Sequence, residues 1–124
     1  MIVGILQFEL AIPGSASLKD KRRVVRSLKD RLHREHLVAV AETARLDALT
    51  SAIISVACVG ADQRHIAQTL DRVLDKARRR TDCEVVSSQR RVGHLDLPEP
   101  EEPEAIDTPA LAEELLRHAL GDHP

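Results

Sequence analysis

Residues 2–12 read IVGILQFELAI, residues 13–17 PGSAS and residues 18–35 LKDKRRVVRSLKDRLHRE. In the first run Ile2, Gly4, Leu6, Phe8, Leu10 and Ile12 fall on one side, with Val3, Ile5, Gln7, Glu9 and Ala11 on the other. A period of two is that of a strand with one well-buried face. Pro13 cannot donate to a strand ladder and Gly14 permits a turn, so the strand stops there. Ser17 is placed to cap a helix, and Asp20, three residues on, completes something close to a capping box. From Leu18 to about Glu35, Val24, Val25, Leu28 and Leu32 recur at helical spacing among charged residues, the pattern of an amphipathic helix.

The same reasoning carries outward. Leu37 to Glu42 reads as a short strand and Ala52 to Val59 as a second, rich in β-branched residues, with Leu46 to Ser51 between them. Gly60 ends that strand, and Asp62 caps a helix predicted from Gln63 to about Arg80, with Ile66, Leu70, Val73, Leu74 and Ala77 facing the sheet. Arg78, Arg79 and Arg80 in its last turn meet the negative end of the helix dipole, worth roughly 0.3 to 1 kcal/mol each at best. Cys83 to Val92 is a closing strand. The order β, α, β, β, α, β predicts an α+β fold, the ferredoxin-like plait, with a four-stranded antiparallel sheet and two helices on one face over residues 1–92.

The chain has 124 residues, room for one core and a tail. Phe8 is its only aromatic, so the core is filled by branched aliphatics and any function built on ring stacking is limited. Cys58 and Cys83 lie far apart inside apolar stretches, which suits a reducing cytoplasm better than a bridged secreted domain. Neither a signal peptide nor a membrane span is legible. The overall charge of −2 hides a division at Gly93: residues 1–93 hold 17 Lys and Arg against 11 Asp and Glu, a surplus of +6, whereas residues 94–124 hold 1 against 9, or −8. Residues 93–108 read as an acidic, Pro-rich disordered linker, and residues 109–124 as a tail with a short amphipathic helix over Ala110 to Leu120. Glu99, Glu101, Glu102, Glu104 and Asp107 are placed to fold back over the basic helix or simply to keep the chain soluble.

The densest chemistry lies in the first helix, with Lys19, Lys21, Arg22, Arg23, Arg26, Lys29, Arg31 and Arg34 against only Asp20, Asp30 and Glu35. At 100° per residue Arg22, Arg26 and Lys29 share one stripe, while Lys19, Arg23 and Arg34 stay outside the apolar face. The ordinary account is a solvated face laced with i,i+4 pairs such as Asp30 to Arg34. The functional account is phosphate binding, in which each cation releases a counterion and affinity falls steeply with salt. Six scattered histidines have no Cys partners at zinc-site spacing, no serine sits in a Gly-x-Ser-x-Gly elbow, and no glycine-rich phosphate loop is present. Acylphosphatase chemistry on this fold needs an Arg in the first loop and an Asn; residues 13–17 supply no Arg, and the chain has no Asn.

The blocks Ser17-Leu18-Lys19-Asp20-Lys21-Arg22-Arg23, Ser27-Leu28-Lys29-Asp30-Arg31-Leu32, Val38-Ala39-Val40-Ala41-Glu42 and Val56-Ala57-Cys58-Val59, followed by the Asp62 to Lys76 helix, resemble the YlxP-like family of small bacterial proteins. The resemblance covers roughly residues 1–92. It implies a ferredoxin-like fold, no known catalytic activity, and genes often found beside translation and ribosome-maturation factors. That family often carries an acidic residue and a Trp between the middle strands; Asp47 matches the first, but Leu49 stands near the place of the ring.

The function expected is a non-catalytic, cytoplasmic accessory protein that needs no cofactor or metal. Its partner would be structured RNA or a ribosomal particle, met through Lys19, Lys21, Arg22, Arg23, Arg26 and Lys29. The competing expectation is an oligomeric protein-binding or ligand-sensing plait that uses its uncovered sheet face.

Overall fold

The computed structural model describes residues 1–101 and 108–121. The alternating run forms strand β1 (Ile2–Ala11), and Ser17 caps helix α1 (Leu18–His36) by accepting from the backbone N–H of Asp20 at 3.1 Å. There follow β2 (Ala39–Ala44), β3 (Ser51–Gly60), α2 (Gln63–Arg78), β4 (Glu84–His94) and α3 (Thr108–Gly121). The strands lie in the order β2-β3-β1-β4 with every neighbouring pair antiparallel. Since β3 lies between β1 and β2, and β1 between β3 and β4, each strand–helix–strand unit is split by a strand of the other.

Period-two alternation decides which face is covered. Leu6, Phe8, Leu10 and Ile12 join Ala52, Ile54 and Val56 of β3 under Val25, Leu28 and Leu32 of α1 and Leu70, Val73 and Ala77 of α2, one continuous apolar core. Gly4 belongs to this face for a steric reason. A Cβ there would lie 2.4 Å from Ile66 Cγ2, so the missing side chain is what lets α2 approach β1. Among the described residues no helix covers the opposite face. Ile5 and Val59 are 49% and 66% exposed there, beside Ala57, Gln7, Glu9 and Ser55.

The structure departs from the expected boundaries where side chains compete with propensity. Leu37 adopts the left-handed conformation (φ 54) and caps α1 by donating its N–H to His33 O, so β2 starts at Ala39. Helix α2 stops at Arg78 because Arg80 turns to grip Asp82. Strand β4 continues past residue 92, pairing Gly93 with Val3 and His94 with Ile2. Of the tail, Glu99 and Glu101 are exposed, whereas Glu102, Glu104 and Asp107 lie outside the described residues. Among the described residues no helix is long and apolar enough to cross a membrane.

Candidate functional site

Helix α1 lies with Val25, Leu28 and Leu32 on the sheet, which turns positions 19, 22, 23 and 26 outward. Lys19, Arg22, Arg23 and Arg26, with Ser27 and Asp30, line one groove on that outer face. These four cations are exposed, and none forms an ion pair or hydrogen bond with another described residue. Lys29 is half-buried on the flank of the helix and does not line the groove.

Lys21 has a different place, and the expectation that it contacts phosphate does not fit it. Its side chain is fully buried, 0% exposed, in line with Val25, Leu28 and Leu32. The ammonium donates to the carbonyls of Arg45 at 2.6 Å, Ala48 at 2.7 Å and Leu46 at 3.4 Å. Glu42 Oε2 sits 2.9 Å away but outside hydrogen-bond geometry, so that contact is coulombic, the directed donors being committed to the carbonyls. Lys21 thereby fixes the turn between β2 and β3, where Arg45 holds a positive φ of 60° and its guanidinium pairs with Glu9.

A second cationic feature comes from residues far apart in sequence. Ser27 and Arg31 of α1 face Lys76 of α2 and the Arg79–Asp82 segment across a hollow of about 480 Å³. Glu35 ties two of these cations together, with Arg31 Nε at 3.1 Å and Lys76 Nζ at 3.0 Å. The hydrogen bond from Lys76, aided by Arg31 and opposed by partial desolvation, holds the Glu35 carboxyl below its ordinary range. Arg80 is clamped on Asp82 through Nε at 2.9 Å and Nη2 at 2.6 Å, and Nη2 also donates to Ser27 Oγ at 3.1 Å. That pairing raises the arginine and lowers the aspartate, so both stay charged. Charge counting by helix treats Arg31 and Arg79 as unrelated, and only the packing of α1 on α2 brings them to one surface.

A cavity of about 590 Å³ lies between the β1–α1 and α2–β4 loops, with Asp20, Arg23, Asp82, Cys83 and Glu84 in its wall. Three of its polar side chains are already employed. Asp20 Oδ2 accepts from Ala16 N at 3.1 Å, Asp82 holds Arg80, and Ser15 Oγ donates to Ser17 O at 3.0 Å. Burial, with the Asp82 carboxylate adding to it, pushes the Cys83 thiol up to about 11, and burial raises Cys58 as well. Neither sulfur is an activated nucleophile. His33 is committed to the end of α1, its Nδ1 lying 2.8 Å from Val38 O. Among the described residues no three His, Cys, Asp or Glu side chains gather as a metal site.

Residues 3–90, nearly the whole of the sheet and both helices packed on it, match the family model described as a protein of unknown function (DUF503). The chain belongs to that family. The DUF503 match contains the α1 groove and the α1–α2 hollow in full, and it leaves the acidic tail outside. No curated protein matches the chain.

Proposed function

We propose that this DUF503 protein is a YlxP-like, non-catalytic accessory protein of the cytoplasm that binds structured RNA, in a ribosomal particle or free, through the outer face of α1. The observation that carries the reading is the set Lys19, Arg22, Arg23 and Arg26, four exposed cations on one groove against a single carboxylate, Asp30, and none of them in an ion pair with a described residue. A phosphate backbone is the polymer such a surface suits, since each contact releases a condensed counterion. With a single aromatic, buried in the core, recognition works through backbone and shape and not through stacking on bases. The absence of catalysis is favoured by the raised thiols and by serines that serve as cap and turn.

The test is co-sedimentation with ribosomal particles, and anisotropy with an RNA stem–loop, across a salt series. Four phosphate contacts give a log–log slope of about −3, and replacing Arg22, Arg23 and Arg26 with Ala should bring it near −1. Wild-type protein that stays at the top of the gradient at low salt would refute the reading. The uncovered sheet face favours a second one, a plait that self-associates or binds protein through Ile5, Ala57 and Val59. Concentration-dependent sedimentation that an Ile5→Ser substitution abolishes would support it.

A further inference from the structure

We infer that the hollow between α1 and the end of α2 is a binding site for a phosphoryl group. Four cations reach it, Arg31, Lys76, Arg79 and Arg80, with the hydroxyls of Ser27 and Thr81 in the same wall. Two carboxylates oppose them, Glu35 paired with Arg31 and Lys76 from outside the lining, and Asp82, itself in the wall, paired with Arg80. Four against two leaves a surplus of two positive charges, which matches one phosphate dianion or two neighbouring phosphodiesters.

The donors are arranged in advance. Arg80, its side chain only 12% exposed, is locked by two bonds to Asp82, and Ser27 Oγ accepts from it, leaving the serine proton free to turn outward. Arg31 spends its Nε on Glu35 and keeps both terminal nitrogens, while Arg79 is exposed and its guanidinium has no partner among the described residues. The terminal nitrogens of Arg31 and the Arg79 guanidinium are therefore the fork-shaped donors open to phosphate oxygens, and Arg80 adds only its remaining Nη1 and its charge. Glu35 thus aims its cations from outside the lining, while the Asp82 oxygens in the wall are taken up by Arg80. Ser27 also lines the α1 groove, so the two features share a wall and one backbone can run from the groove into the hollow.

The phosphoryl group can belong to an RNA backbone, a form that rests on the RNA reading, or to a small phosphorylated molecule, a form that does not. Titrating the full-length protein with inorganic pyrophosphate while following amide NMR shifts separates the site from its source. Saturable shifts at Ser27 and Thr81, at constant ionic strength, are expected for wild type and should vanish in Arg79→Glu. With an RNA stem–loop, Arg79→Glu should weaken binding at least fivefold at low salt, and Arg79→Ala should reduce the salt slope by about one. Pyrophosphate saturation in a protein whose RNA affinity ignores Arg79 would keep the site and assign it to a small ligand. Linear, unsaturable shifts, together with RNA binding that neither Arg79 variant alters, would overturn the inference, even where the Arg22, Arg23 and Arg26 triple variant abolishes RNA binding.

Discussion

Replacing Lys21 with Met should unfold this protein far more readily than removing any of its exposed cations. The substitution keeps most of the aliphatic volume, so the penalty isolates the ammonium. It strips three carbonyls of their donor and leaves Glu42, whose side chain is only 13% exposed, without its counter-charge. Breaking a buried pair from one side costs about 3 to 5 kcal/mol, and the lower end applies because the turn around Leu46 and Asp47 is exposed and water can reach its carbonyls. For a domain of this size about 3 kcal/mol corresponds to a fall in Tm of roughly 12 to 24 °C. Urea denaturation at pH 7 should show it, and hydrogen exchange should speed up first at Arg45 to Thr50. Adding Glu42→Leu to Lys21→Met should recover at least about 1 kcal/mol, because the orphaned charge is gone. Single variants within about 1 kcal/mol of wild type, with an additive double variant, would refute the role given to this ammonium.

Three further outcomes follow from the packing and the ionisations. Gly4→Ala should lose about 1 to 3 kcal/mol in urea denaturation, since its Cβ meets Ile66 Cγ2 at 2.4 Å, and Ile66→Ala in the same chain should make the loss less than additive. Asp82→Asn should lower Tm at neutral pH. The folded Asp82 is held below its ordinary value by the hydrogen bond from Arg80, so its contribution is complete above the unfolded aspartate range, about 3.9, and disappears as acid carries the pH through the lower folded value. Melting curves from pH 7 into strong acid should therefore converge for wild type and variant, and a gap that persists there would contradict the assignment. Iodoacetamide at pH 8 should leave Cys83 unmodified in the native protein and label it in urea, because burial both covers the thiol and pushes it up to about 11; rapid native labelling counted by mass would disprove this.

Local periodicity carried most of the fold. The alternation of Ile2 to Ile12, the cap at Ser17 and the stripe of Ile66, Leu70, Val73 and Ala77 are short-range signals, and they specify strand, start and buried face without knowledge of neighbours. Lys21 was misread because its charge fits the run around it. Its position gave the better signal: residues 18, 21, 25, 28 and 32 form one helical line, and four of the five are Leu or Val. Leu37 in a left-handed cap was not legible, since Gly or Asn is the usual residue there. The hollow escaped for another reason. Ser27, Arg31, Lys76 and Arg79 meet only after two helices pack side by side, and no window of sequence contains that contact.

The sealed amine of Lys21 also furnishes a chemical clock. Acylating reagents that need a free, solvated amine should mark the exposed Lys19 within minutes while passing over residue 21 for as long as the chain stays folded. A peptide map of acylated protein therefore reads surface and fold in one spectrum, and the first adduct on the inner amine dates the opening of the core. Alanine scans that treat the whole charged run as one unit would confuse those two events.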